Sequence, residues 1–538
     1  MRSTSAHRNF SIELAAVVTV SIDIAQRLRD GYAALTQHDY GGAERACRDV
    51  LTADSRCVPG HFLVGLVSIE RNDLKTAINA FGSVTRLQND HVAAWAQLAR
   101  LAFLAGQHAQ AEIALKRALA LGSDDSIVQD AIGGALTLWG DHAGARAWFE
   151  RAAAARPNVA HFQTNLASNL VALGEIARAG TVLDAALVAD PDSPRAHWML
   201  ANARRATSPR HIRQMEELTR RSSMRPDAVA FLEYAAGKEY EDLEEWDAAF
   251  EAFERGARAK RSTLAYVEAA QEAHYGAIAE TFSQQWCAAN RPGFGEAAPI
   301  FVVGQPRTGT TLVERIVSAH SMVNSAGELP QFGVAVHRLV GAANADRVAV
   351  ARASANIDTK ALGEMYVRTT AHLRGGRPRF VDKLPLNYLH LALIATALPN
   401  AHIVHVTRDP LDSCFAIYKQ LFADAYPHSY EQREMARHYV RYRRLMDHWR
   451  TVLPGRVFDI AYEDVVTDVE SSARRLIEHL ELPWEAACAD FRRNTAPVTT
   501  ASAIQVREGP YRTSIGRWRR YAMQLAPTIE VLRSAQMV

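Results

Sequence analysis

Small and apolar residues recur along the first part of the chain at a fixed step of 34 positions. Ala43, Ala77, Ala111, Ala145 and Ala179 hold one phase, and Gly31, Gly65, Ala99, Gly133, Ala167 and Ala201 hold a second. Cys47, Phe81, Leu115, Phe149 and Leu183 keep an apolar residue at a third. A small residue twelve positions before each alanine is what two antiparallel helices need where their backbones approach closely. The runs "NDL", "GQH", "GDH" and "GEI" supply polar turns between such helices, and Pro157 and Pro191 stop the second helix of their units. The pattern predicts stacked helix pairs over residues 24–209, preceded by a lead segment, 1–23.

With its small, small and aromatic positions at this step, the array resembles the tetratricopeptide repeat, which implies an α-solenoid. After "RRATSPR" (Arg204–Arg210) the register shifts. Gly237, Ala249 and Phe253 reproduce the internal spacing out of frame, so residues 210–296 read as a helical bridge with one degenerate repeat. "NRPGFGEAAP" (Asn290–Pro299), dense in Gly and Pro, is the expected boundary. Beyond it, over residues 297–538, strand-like runs "IFVV", "RFVDK", "HIVHV" and "RVFDIAY" alternate with helical stretches such as Tyr430–Trp449 and Ser471–Leu480. Such alternation predicts an α/β domain with a mainly parallel sheet and helices on both faces.

At 538 residues the chain exceeds one core. Apolar residues at 48%, charged residues at 22% and a net charge of +2 are ordinary for a globular protein and argue against bulk nucleic-acid binding, so any basic site is local. Five scattered cysteines without a C-x-x-C motif point to a reducing compartment, and a cytoplasmic location is expected. "AAVVTVSI" (Ala15–Ile22) is too short to span a bilayer. His402 and His405 flank a strand-like run without a metal motif and read as structural, so no metal is expected.

The candidate chemistry lies in "IFVVGQPRTGTTLVERIV" (Ile300–Val317). Strand, Gly-rich turn and helix follow one another, with the helical period starting at Leu312. Gly304 to Gly309 fits the G-x-x-x-x-G of a P-loop, but Thr310 and Thr311 stand where an ATPase carries Lys and then Ser or Thr. A helix N-terminus with a close-approaching Gly309 binds an oxyanion through its amides. Thr310 and Thr311 add hydroxyl donors, and Arg307 supplies the charge of the absent lysine. The acidic residues that an ATPase would use for Mg²⁺, Asp382 or Asp409, each adjoin a basic residue.

"PRTGTT" resembles the 5′-phosphosulfate loop of sulfotransferases, in the arginine form of the tyrosylprotein enzymes. The resemblance covers residues 298–538. It implies the cosubstrate 3′-phosphoadenosine 5′-phosphosulfate (PAPS), no metal, and nucleotide contacts at Pro306, Arg307, Thr308, Gly309, Thr310 and Thr311. "SAGELPQF" matches the segment bearing the family's general base, which falls on Glu328; a loop glutamate near a helix start is the alternative. "RFVDKLPLNY" matches a segment bearing a basic residue, Lys383, which with Arg307 would act as an electrostatic catalyst; a salt bridge with Asp382 is the alternative. No histidine lies between Arg379 and Tyr388, where cytosolic sulfotransferases carry a catalytic one. "HIVHVTRDPLDSCFAIYKQLF" resembles the 3′-phosphate segment, with Arg408 in place but Ala416 where the family has serine; Ser413, one turn earlier, is a candidate substitute. "TASAIQVREGPYRTSIGRWRRY" resembles a loop folding over the nucleotide, which implies Ser502 and Arg517 as ligands, and the interleaved Tyr511, Trp518 and Tyr521 favour a lid over a solvated charge run.

The expected activity is sulfuryl transfer to a hydroxyl, first of a tyrosine in a peptide or protein recruited by the repeats, alternatively of a glycan or small molecule. A non-catalytic nucleotide-binding adaptor and a degenerate P-loop NTPase are the rivals. No nucleic acid and no membrane span are expected, and a homodimer is left open.

Overall fold

The computed structural model describes residues 23–221, 224–289, 291–341, 345–422, 425–491, 494, 496–498, 504 and 512–538. It separates into two units, 1–122 and 123–538. In the first, the helices pair as Ile24–Thr36 with Tyr40–Ala53, Val58–Glu70 with Leu74–Leu87, and Val92–Leu104 with His108–Leu121. Asp39 and Asp73 cap second helices by accepting the amides of Gly42 and Thr76. A Cβ on Gly65 would stand 2.5 Å from Phe81 Cζ, so the second and third phases of the 34-residue pattern are two sides of one contact.

The second unit opens with the pairs Ser126–Trp139/His142–Ala155 and Ala160–Leu173/Ile176–Ala189. Helices Pro194–Ala203, Arg210–Thr219, Pro226–Asp242 and Trp246–Arg261 follow. Gly133 meets Phe149 and Gly237 meets Phe253 in the same way, at 2.8 and 2.6 Å from the would-be Cβ. Leucine at the partner position (Leu115, Leu183) goes with Ala (Ala99, Ala167) at the small one. Volume is conserved across each contact, as close-packed interiors require.

Five parallel strands follow: β1 (Ile300–Gly304), β2 (Val323–Ser325), β3 (Arg379–Asp382), β4 (His402–Thr407) and β5 (Val457–Ala461), ordered β2-β3-β1-β4-β5. Four coincide with the strand-like runs. The other, β2, is three residues long and carries two polar ones, so it leaves no apolar run to read. Alternation along β1 serves both faces. Ile300 and Val302 pack with Leu312, Val313, Ile316 and Val317 of the Thr310–Ser318 helix. Phe301 and Val303 belong to a larger cluster with Phe332, Tyr366, Tyr388 and Trp449. The helices expected over 430–449 and 471–480 are Gln432–Val452 and Val469–His479.

That larger cluster also takes in Tyr234, Phe250, Phe253, Tyr275, Ile278 and Phe282. The helices between the repeats and β1 therefore share a core with the sheet. The Gly- and Pro-rich stretch before β1 is pinned to it as well: the Phe294 amide donates to Ala397 O at 2.8 Å, and a Cβ on Gly293 would lie 2.3 Å from Thr396 O. Among the described residues no helix is long and apolar enough to cross a membrane.

Candidate functional site

In a parallel sheet all strands deliver their C-terminal ends to one edge, and a crevice opens where neighbouring strands send their connections to opposite sides. Here β1 connects toward β2 and β4 toward β5, so the crevice lies between β1 and β4. The edge receives Gln305–Gly309 after β1, Glu328 after β2, Lys383 after β3, Arg408 after β4 and Tyr462 after β5. Arg408 Nη1 donates to Arg307 O at 2.9 Å across the β1/β4 gap.

The loop is held by its backbone. Arg307 has φ 65° and Gly309 φ 99°, both in the left-handed region; the first is sterically costly for a residue with a Cβ and marks a site the fold constrains. Thr308 Oγ1 donates to Gln305 O at 2.7 Å. Gly309 is the N-cap of the Thr310–Ser318 helix and has no side chain to satisfy its first amides, so the helix begins two residues before Leu312. Pro306, Thr308, Thr310 and Thr311 are buried and Arg307 is half-buried. Burial and the neighbouring Arg408 bring the Arg307 guanidinium down to about 10, with Tyr462 opposing, so it remains a cation at neutral pH.

Tyr462 braces this loop. A Cβ on Gly309 would stand 2.5 Å from its Cδ2, the Arg408 guanidinium lies 4.7 Å from its ring centre, and its hydroxyl is 2.6 Å from Ser514 Oγ. Tyr462 is not among the candidate residues drawn from the sequence. Its cue was position, one residue beyond a strand of the sheet.

Glu328 and Lys383 come together. Lys383 Nζ donates to Glu328 Oε1 at 2.5 Å and lies 4.0 Å from Glu314 Oε2; the lysine side chain is 1% exposed and Glu328 41%. Glu314 is buried and accepts from Ser325 Oγ at 2.5 Å; burial pushes its carboxyl up, against the pull of Lys383 and Ser325. The Asp382–Lys383 salt bridge weighed as an alternative is not formed, because successive strand side chains point to opposite faces. Asp382 instead accepts from Tyr366 Oη at 2.8 Å and from the amides of Leu384 and Leu329 at 3.2 and 3.4 Å. Its burial pushes it up to about 7.

On the other flank, Arg408 Nη2 donates to Ser514 O at 2.8 Å. Ser413 is fully buried, and its Oγ, like Nε of Arg408 and of Arg517, has no partner among the described residues. Arg517 Nη2 lies 2.9 Å from Glu241 Oε2. Asp412 accepts the amides of Gly516 and Trp518 at 2.5 and 3.1 Å, which fastens this segment to the Pro410–Tyr418 helix. Tyr521, expected in a lid, is a fully buried core residue against Phe415, with ring centres 4.5 Å apart. Ser502 and Tyr511 lie outside the described residues. Asp409 accepts the amides of Leu411 and Asp412 as a helix cap, and His405 is buried between Asp459 and Tyr442.

Residues 299–486 match the model described as the Sulfotransferase family, and residues 68–133 and 139–203 match the tetratricopeptide repeat. The chain joins tetratricopeptide repeats to a sulfotransferase-family domain. An uncharacterized protein of Aquifex aeolicus (strain VF5) is 36% identical over 250 residues, 45% of this chain and 33% of that protein. A protein-tyrosine sulfotransferase of Drosophila melanogaster is 23% identical over 193 residues, 35% of this chain and 39% of that one. The chain thus spans between 33% and 39% of the length of these two relatives. Among solved structures, the sulfotransferase domain from the curacin biosynthetic pathway is 16% identical with a TM-score of 0.33, covering 46% of this chain and 99% of its own.

Proposed function

We propose that the chain is a PAPS-dependent sulfotransferase acting on a hydroxyl, with a tyrosine of a peptide or protein as the first acceptor class and a glycan or small-molecule hydroxyl as the alternative. The observation that carries the reading is the solvent-facing Glu328 carboxylate held at 2.5 Å by a buried lysine, at the same sheet edge as the Arg307 loop. A carboxylate so placed can take a proton from an acceptor hydroxyl approaching from solvent.

The residues fit the nucleotide. The Gly309 N-terminus, with Arg307, Thr310 and Thr311, suits the 5′-phosphosulfate, and the unpartnered Nε of Arg408 and Arg517 and Oγ of Ser413 await an anionic acceptor of hydrogen bonds. When bound, PAPS supplies an activated sulfuryl group. Glu328 removes the acceptor proton, while Arg307 and the loop amides stabilise charge spreading over the transferring group. Lys383, shared between two carboxylates, can turn a donor toward the departing oxygen once Glu328 is protonated. Thr308, whose hydroxyl is committed to Gln305 O, contributes its amide.

A tyrosine acceptor is favoured by the 23% identity to the fly protein-tyrosine sulfotransferase and by the helix pairs, which in repeat proteins form extended surfaces for chains. Incubating the purified chain with sulfur-labelled PAPS and a host lysate tests the acceptor class. Label in protein, released as tyrosine sulfate on hydrolysis, is expected; label confined to glycan or small molecules would move the acceptor to the second class.

A further inference from the structure

The Pro226–Asp242 helix, first of the degenerate repeat, reaches the site through Glu241. Glu241 is 6% exposed; its Oε2 accepts from Lys419 Nζ at 2.7 Å and Arg517 Nη2 at 2.9 Å, and its Oε1 from the Tyr521 hydroxyl at 2.9 Å. Burial alone would raise its carboxyl, but Lys419 and Arg517 more than reverse that and hold it below its ordinary value.

We propose that Glu241 is a positioning residue for the 3′-phosphate of the nucleotide, holding Lys419 and Arg517 so that both face that group; the inference rests on the PAPS reading above. Lys419 and Arg517 share one carboxylate, that of Glu241, and the Gly516 and Trp518 amides donated to Asp412 hold the Arg517 turn against the Pro410–Tyr418 helix that Lys419 caps. Two cations on one carboxylate leave one positive charge for an anion to meet. Ser413, fully buried on the same helix between Arg408 and Lys419, has an Oγ with no partner among the described residues, a hydroxyl that can donate to an anion. Lys419 follows Ala416 by one helical turn, on the side of the helix where a serine is missing.

The lysine also gives the role a signature. Burial, with Arg517 and Arg307, lowers Lys419 to about 8, and Glu241 opposes that fall. The charged or titratable groups facing it are Glu241 from the repeat helix, Arg517 of the Arg517–Tyr521 turn and Arg307 of the loop. Removing the Glu241 charge therefore drives Lys419 toward its neutral form at lower pH.

Calorimetric titration of the full chain with adenosine 3′,5′-bisphosphate and with 5′-AMP tests this. The wild type should prefer the bisphosphate, and that preference should fade above about pH 8. Glu241→Gln should lose roughly tenfold or more of bisphosphate affinity, leave 5′-AMP nearly unchanged, and shift the alkaline limb to lower pH. Lys419→Gln should reproduce the loss from the other side of the contact. Glu434→Gln, which breaks the Arg261–Glu434 pair between the repeat and the domain, should leave the preference intact. An unchanged preference in both Glu241→Gln and Lys419→Gln overturns the inference alone. A wild type that binds neither nucleotide overturns the PAPS reading and the inference with it.

Discussion

Asp382 shows how one buried group shapes this site. It accepts hydrogen bonds from Tyr366 and from the amides that flank the Glu328 and Lys383 loops, and burial raises it from 3.8 to about 7. A carboxyl with a raised native pKa binds its proton more tightly folded than unfolded. Its stabilising contribution is therefore full below about pH 4 and is lost as pH rises toward 7, a change on the order of 4 kcal/mol. Asp382→Asn keeps an acceptor for the amides and cannot ionise, so its melting temperature should fall less than that of the wild type between those pH values. Parallel profiles for the two proteins would show that Asp382 does not titrate there. Beside it, the placement of Glu328, Lys383, Arg307 and Arg408 at one sheet edge was readable because each stands in a motif; that Lys383 pairs with Glu328 and not Asp382 was not, because strand alternation fixes it. Tyr462 and Glu241 carry no local signature, and only the folded chain brings them to the loop and to Arg517.

Gly65, Gly133 and Gly237 each stand in close contact with a phenylalanine sixteen positions later. Gly133→Ala puts a methyl 2.8 Å from Phe149 in a buried contact and should destabilise the chain by roughly 1–3 kcal/mol, read as a lower melting temperature. Gly133→Ala with Phe149→Leu, which copies the Ala99/Leu115 pairing, should recover part of that loss. Failure of the double variant to recover would disconnect the two positions. These pairs were legible because the period repeats, and the degenerate pair Gly237/Phe253 was found out of frame for the same reason. Four strands were legible as apolar runs, whereas β2 was hidden by its length and polar residues. Sequence also suggested aromatics over a ligand near the C-terminal arginines, yet Tyr521 is core, since an aromatic reads alike in either setting.

For the whole molecule, the bridge is part of the sheet domain's interior. Tyr234, Phe250, Phe253, Tyr275 and Phe282 share a cluster with Phe301, Tyr388 and Trp449. A truncation starting at residue 297 should therefore expose that surface and yield aggregated or molten protein by near-ultraviolet circular dichroism, while one that keeps residues from 194 should give native tertiary signals. A well-folded 297–538 fragment would contradict the shared core. Composition could not reveal this sharing, because amphipathic helices look the same whether they cover a neighbour or a sheet.

The central claim is that the Arg307 loop and Glu328 transfer a sulfuryl group from PAPS. It is tested most directly by transfer of sulfur label from PAPS to a protein acceptor in the presence of a chelator, wild type against Glu328→Gln. Transfer by the wild type and a loss on the order of 10² to 10⁴ in the variant, with nucleotide affinity kept, is the predicted result. Equal transfer by both proteins, or none by the wild type with any acceptor, would contradict it.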